Sequence, residues 1–139
     1  MSHPNVDLTR SGYDAFRTGH AAAIAGMLDP DIEWIAYSGN DRLPGGGTFR
    51  GLAAVATGVF MQMKSTWTAF EFRPEAFFAA GEEVVVVTGR MWARVRATGA
   101  EIDVPFAHIW EVADGRARRV QFFTDTLTVH DALGAPAQG

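Results

Sequence analysis

Asp125 and His108 are the two side chains whose types and setting could do acid–base chemistry in this chain. Both belong to a long β-forming stretch, VVVVTGRMWARVRATGAEIDVPFAHIWEVADGRARRVQFFTDT, interrupted by two turn signals, Thr98-Gly99 and Asp114-Gly115. Two-residue hairpins at both would set Val95 against Ile102, Met91 against Phe106, Gly89 against His108 and Val87 against Trp110. In the second hairpin Trp110 would face Arg119, His108 Gln121, Phe106 Phe123 and Val104 Asp125. Side chains alternate across a strand, so one face carries His108, Gln121 and Asp125 inside an apolar set. The other face sets Arg96 against Glu101, Arg94 against Asp103 and Glu111 against Arg118, as opposite charges pair across a ladder. Proton transfer beside a carbonyl needs a base within hydrogen-bond reach and a donor for the enolate oxygen, and this face offers both. An apolar pocket would raise the carboxyl pKa of Asp125 by desolvation.

Each residue also has a plainer role. The TDT string suits Asp125 as N-cap of a following helix, and His108 suits a core histidine bonded to Gln121. By this register Asp125 lies four residues along its strand from Gln121, about 13 Å away. His108 and Asp125 would therefore flank one ligand without touching. Tyr13, Trp34, Phe106, Trp110, Gln121 and Phe123 are the candidate substrate-binding walls, with core packing the alternative for Tyr13, Trp34 and Trp110. Arg119 falls on the same face near the Asp114-Gly115 turn, either as an anion clamp or exposed to solvent. PGGG (Pro44 to Gly47) lacks the Lys-Ser/Thr of a phosphate loop and reads as a flexible pocket lid. His3, His20, His108 and His130 show no metal-ligand spacing, and neither a metal nor a cofactor is expected.

The elements that must position these residues follow from periodicity. Val6, Tyr13, Phe16 and His20 recur at helical spacing and Gly19 is placed to stop that helix. His20 to Leu28 is a short Ala-rich helix ended by Asp29-Pro30. Asp31 to Tyr37 alternates as a first strand, and SGNDRLPGGGTFRG is an irregular loop. Leu52, Val55, Val59, Phe60 and Met63 mark a third helix. Trp67 to Ala80 reads as a strand in which Pro74 requires a bulge or an edge. LTVHDALGAPAQG ends the chain through a short helical turn and a small-residue tail.

Size and composition bound the reading. The 139 residues make one domain, 1–139, and 47% hydrophobic with 20% charged residues is the balance of a soluble globular protein. A net charge of −4 and eleven scattered Arg leave no basic stripe for nucleic acid. The absence of Cys excludes disulfides, thiolate metal sites and a Cys nucleophile, and fits a cytoplasmic protein. MSHPNVDLTR lacks the features of a signal peptide, and AAAIAGML and VVVV are too short to span a bilayer.

Helices first and a mostly antiparallel sheet after them give an α+β fold, in which a twisted sheet wraps the N-terminal helices as a cone with an interior. YDAFRTGHAAAIAGMLDPDIEW, TFRGLAAVATGVF and FAHIWEVADGRARRVQFFTDT, closed by Leu133-Gly134, resemble the nuclear-transport-factor-2-like superfamily, specifically its SnoaL-like polyketide cyclase and ketosteroid isomerase branch, over nearly the whole chain. The resemblance implies a cystatin-like roll with an aspartate pointing into the pocket near the end of the last strand, matched here by Asp125. It also implies a first-helix tyrosine, Tyr13, where ketosteroid isomerases keep an oxyanion donor, although their second acid has no match. The epoxide-hydrolase Asp-Arg-Asp set has none either, because Arg94 and Asp103 fall on the opposite face. The superfamily hosts several reactions and also non-catalytic binders. The expected function is a cofactor-free cyclase, isomerase or dehydratase acting on a small hydrophobic carbonyl compound; the alternative is a non-catalytic binding or dimerising accessory protein. Trp92, Ile109, Val120 and Phe122 on the outward face predict a homodimer packed sheet to sheet.

Overall fold

A single proline and a single glycine bracket the first helix. Pro4 opens α1 (Pro4–Thr18), where its fixed φ suits a helix start, and Gly19 closes it at φ 77°, donating its N–H to the Ala15 and Phe16 carbonyls. This computed structural model describes residues 3–19 and 21–134; His20 and the small-residue tail lie outside the described residues. Helix α2 (Ala21–Met27) returns so close to α1 that a Cβ on Gly12 would run into Met27 Sδ. Among the described residues no helix is long and apolar enough to cross a membrane.

Six strands follow: β1 (Leu28–Ala36), β2 (Gly47–Arg50), β3 (Trp67–Ala80), β4 (Val84–Val95), β5 (Glu101–Ala113) and β6 (Arg116–Thr124). They form one curved, unclosed sheet in the order β2-β1-β6-β5-β4-β3, antiparallel throughout except where β1 runs parallel to β6. The third helix is built as α3 (Leu52–Val55) and α4 (Met61–Thr66) around a π-helical run, Ala56–Phe60. Helix α5 (Thr126–Gly134) follows β6. Pro74 satisfies both expectations for a strand proline: β3 is an edge strand, and its register shifts between Pro74 and Ala76. The irregular loop contains a 3₁₀ turn at Tyr37–Gly39 and, beyond it, strand β2.

The two hairpins depart from the expected register in different ways. Between β4 and β5 the loop is two residues longer than expected, with Val95 N–H bonded to the Ala100 carbonyl at 2.8 Å. Val87 now pairs with His108 and Met91 with Val104. A slip of two keeps every side chain on its face, so Val104, Phe106, His108 and Trp110 still point inward and are buried. The Asp114-Gly115 turn forms as expected, with φ 55° and 74° at its two residues. One turn further on, the register shifts between Glu111 and Val112 and leaves Arg118 unpaired on β6. A slip of one exchanges faces. Phe122 therefore pairs with His108 and Thr124 with Phe106, while Gln121 pairs with Ile109.

The core fills the concave side with Ile32 and Trp34 of β1, Val85 and Val87 of β4, Ile102, Val104, Val112 of β5 and Val120 of β6. The charged pairs on the convex side exist with displaced partners: Arg94 to Glu101 at 3.2 Å, Arg90 to Asp103 at 2.6 Å and Arg119 to Glu111 at 3.1 Å. Asn5 fixes α1 over the sheet, its Nδ2 donating to the Glu82 carbonyl at 2.6 Å and the Val112 carbonyl at 3.2 Å. That anchor carries Tyr13 to the middle of β5.

Candidate functional site

The centre of the cone is a chain of three polar side chains. Trp110 Nε1 donates to Tyr13 Oη at 3.0 Å, and Tyr13 Oη lies 2.5 Å from His108 Nδ1. An indole nitrogen is a donor only. Tyr13 Oη accepts from Trp110, and His108 Nδ1 is the one acceptor within reach of its own proton among the described residues, so the arrangement that satisfies both buried groups has the phenol donating to Nδ1. The neutral ring carries its own proton at Nε2, which has no partner among the described residues. Burial holds the His108 pKa well below its ordinary value and pushes that of Tyr13 up, so both are neutral. Rings enclose the pair: Phe106 stacks on His108 at 4.1 Å, and Phe72 meets it edge-on at 5.0 Å.

His108 lines a cavity of about 550 Å³ of unfilled space, part of it open to solvent. Trp34, Phe72, Phe106 and Phe122 form its aromatic walls, and a larger apolar groove beside α2, α3 and α4 meets it at Phe16, Met63 and Phe70. Trp34 stacks on Phe122 at 4.7 Å, and its indole N–H is buried without a partner. Buried donors are nearly always satisfied, so an orphan at a cavity wall is unusual. Pro44 and Gly45 also line the cavity. The glycine run is a packed wall rather than a lid: Gly45, Gly46 and Gly47 are buried, and a Cβ on Gly46 would come within 3.0 Å of the Leu43 carbonyl.

The sequence-predicted residues divide. His108, Phe106 and Trp34 line the cavity, while Tyr13 and Trp110 act behind it, orienting the imidazole. Asp125 does not reach the interior. It is exposed and caps α5, accepting from Thr128 N–H at 3.0 Å and Thr128 Oγ1 at 2.6 Å. The hydroxyl and backbone donors of Thr128 hold its pKa below the usual carboxylate value, the reverse of the shift expected from an apolar pocket. The slip at Arg118 is the cause. The same slip turns Gln121 to the convex side beside Ile109 and Ile35, and leaves Phe123 37% exposed at the cavity's border. Phe122 and Val120, expected outside, take the inward places. Arg119 is neither clamp nor free cation: it pairs with Glu33 at 2.8 Å and Glu111 at 3.1 Å. Sequence reasoning missed Tyr37, which lines the cavity from the end of β1 with φ 53°. A positive φ at a tyrosine leaves no trace in composition or periodicity.

Comparison with known proteins agrees with this architecture. The model of the SnoaL-like domain matches residues 9–120. The chain is similar in structure to an NTF2-like protein of unknown function from Burkholderia pseudomallei, at 25% identity, over 96% of this chain and 99% of that one, with a TM-score of 0.87. An NTF2-like protein from Burkholderia thailandensis is 30% identical, with coverage of 95% and 98% and a TM-score of 0.84. TerC, co-crystallised with polyporic acid, is 26% identical, with coverage of 94% and 98% and a TM-score of 0.84. Among curated proteins none matches significantly. With the match spanning most of the chain, the protein belongs to the SnoaL-like domain family, on an NTF2-like fold.

Proposed function

We propose that the cavity binds a small hydrophobic molecule through a carbonyl oxygen at His108. The proposed reaction is a cofactor-independent cyclisation, isomerisation or dehydration beside that carbonyl. The observation that carries this reading is the hydrogen-bonded chain from Trp110 through Tyr13, which leaves His108 neutral with Nε2–H free in a ring-walled space. A fixed neutral donor in a low-dielectric site stabilises a developing enolate oxygen without reorganising. The Tyr13 proton on Nδ1 polarises the imidazole and strengthens Nε2–H as a donor. Among the described residues no carboxylate lines the cavity. This favours substrates with a methylene between two carbonyls, whose proton passes to water or buffer base at the solvent-open side of the cavity while His108 Nε2–H holds the enolate oxygen. That TerC was co-crystallised with polyporic acid supports a small organic ligand on this fold.

The missing carboxylate also supports a second reading, a binding protein that performs no reaction. Exchange of the C2 protons of diethyl malonate in D₂O at mildly acidic pD, followed by ¹H NMR, separates the two. Catalysis predicts exchange well above the buffer rate, reduced by roughly 10²–10⁴ in His108→Phe. Binding without exchange above buffer would leave the second reading standing. We also propose a homodimer through the convex sheet face, resting on Ile35, Val86, Ile109 and Phe123 together with Trp92, because Val120 and Phe122 face the interior.

A further inference from the structure

Tyr37 is a polar group of this cavity that the Trp110–Tyr13–His108 chain does not use. It follows the last residue of β1 and lines the cavity together with His108. Its hydroxyl has no hydrogen-bond partner among the described residues. Gly46 lies against the ring, where a Cβ would come within 3.1 Å of Tyr37 Cδ2. The backbone is left-handed at both Tyr37 (φ 53°) and Ser38 (φ 54°). Residues with side chains adopt that conformation at a cost, and they keep it where the surroundings hold them there, often beside a ligand. Burial pushes the phenol up to about 12, which makes it a donor and not a base near neutral pH. On β1, just before the turn, Trp34 also lines the cavity and carries its own unpartnered N–H. This wall carries one buried donor without an acceptor, the Trp34 N–H, and beside it the half-buried Tyr37.

The register sets the span between the two ends. Ile35 pairs with Gln121 on β6, and Phe122 pairs with His108 on β5. Two inter-strand steps therefore separate the Tyr37 region from His108, roughly 10 Å at the backbone. Phe122, inward on the intervening strand, stacks on Trp34 at 4.7 Å and packs on His108 at 4.2 Å, an apolar floor between phenol and imidazole for a flat ring system.

We propose that Tyr37 is a ligand-binding residue whose hydroxyl donates to a second oxygen of the ligand. The preferred ligand is then a flat, apolar molecule with oxygen acceptors at two separated positions, one for His108 Nε2–H and one for Tyr37 Oη–H. This deepens, and rests on, the carbonyl-binding reading of the cavity.

The test is calorimetric binding of 1,4-naphthoquinone, with two opposed carbonyls, and 1-tetralone, with one, to wild type and Tyr37→Phe. The chain has no cysteine to add to the quinone. Losing one hydrogen bond to a neutral acceptor should weaken naphthoquinone binding by about tenfold and leave tetralone within about twofold. Equal weakening of both probes, or no weakening of naphthoquinone, overturns the proposal. Should Tyr37→Phe melt early, 3-fluorotyrosine at position 37, a stronger donor, must tighten naphthoquinone binding; an unchanged affinity overturns it. If neither probe binds wild type, the proposal falls together with the carbonyl-binding reading. If both bind and the Tyr37 changes are silent, the Tyr37 assignment alone falls.

Discussion

Tyr13→Phe removes one oxygen atom and tests the whole arrangement around His108. The ring would keep its packing, including the edge contacts to Phe72 and Phe77 at 6.1 and 5.9 Å, so cavity formation contributes little. Two polar atoms lose their partner: Trp110 Nε1, now 3.0 Å from the hydroxyl, and His108 Nδ1, now 2.5 Å from it. An unsatisfied buried donor or acceptor costs ~1–3 kcal/mol, partly offset because the phenol no longer has to be desolvated, so the net loss should be about 2–4 kcal/mol. For a chain of this size, with Tm moving ~3 °C per kcal/mol, the variant should melt roughly 6–12 °C lower. The second consequence is chemical. Without a donor at Nδ1 the imidazole proton is no longer confined to Nε2, and long-range ¹⁵N–¹H correlation of the His108 ring should show the tautomers mixing. A fall in Tm under about 2 °C, with the Nε2–H tautomer intact, would refute the claim that Tyr13 fixes the histidine.

Four further outcomes are expected. His108 is held neutral by burial, with its folded pKa well below 6.5, so its contribution to stability is complete above that pH and declines as pH falls toward the folded value. Over that interval the unfolded chain binds one more proton, giving a slope approaching ~1.4 kcal/mol per pH unit that should vanish in His108→Asn, as measured by urea unfolding across pH 4–8. Asp125→Ala should lower the melting temperature modestly through loss of the α5 cap while leaving the affinity of any cavity ligand unchanged; a loss of affinity would return Asp125 to the site. In Gly89→Ala the new Cβ would lie 2.8 Å from Pro74 Cα and press the Arg73 carbonyl, both backbone, so circular-dichroism melts should show a loss of about 1–3 kcal/mol or more. Sedimentation velocity at micromolar concentration should give a dimer, and a monomer there would dismiss the convex-face interface.

The helices and inward-facing strands were legible because hydrophobic periodicity reports them directly. Gly19 and Pro74 acted where their backbone restrictions said they would. The two hairpins show where legibility ends. Misjudging the first loop by two residues cost nothing, since parity survives, whereas one extra residue at Arg118 reversed every assignment beyond it. No composition cue marks that bulge: Arg116, Arg118 and Arg119 all look like solvent-facing positions. The error passed through β6 to the site, exchanging Asp125 and Gln121 for Phe122. His108 could be placed from its own strand, but its partner could not. Tyr13 is 95 positions away in sequence, and the docking of α1 on the sheet, through Asn5 and the contacts of Tyr13 and Phe16 with Phe72, brings the two together.

The parallel seam between β1 and β6 sets a timetable. Glu33 and Arg119, paired across it, stand 86 positions apart, and β6 supplies the strand that joins β1 and β2 to the rest of the sheet. During synthesis the first two strands must wait, unpaired along one edge, until nearly the whole chain has emerged. Contacts closed over such long loops form slowly and leave apolar edges open to wrong partners. The cavity gains its Trp34–Phe122 wall only at that last docking, so a ribosome-bound chain stalled before β6 should bind nothing and depend on chaperones to stay in solution.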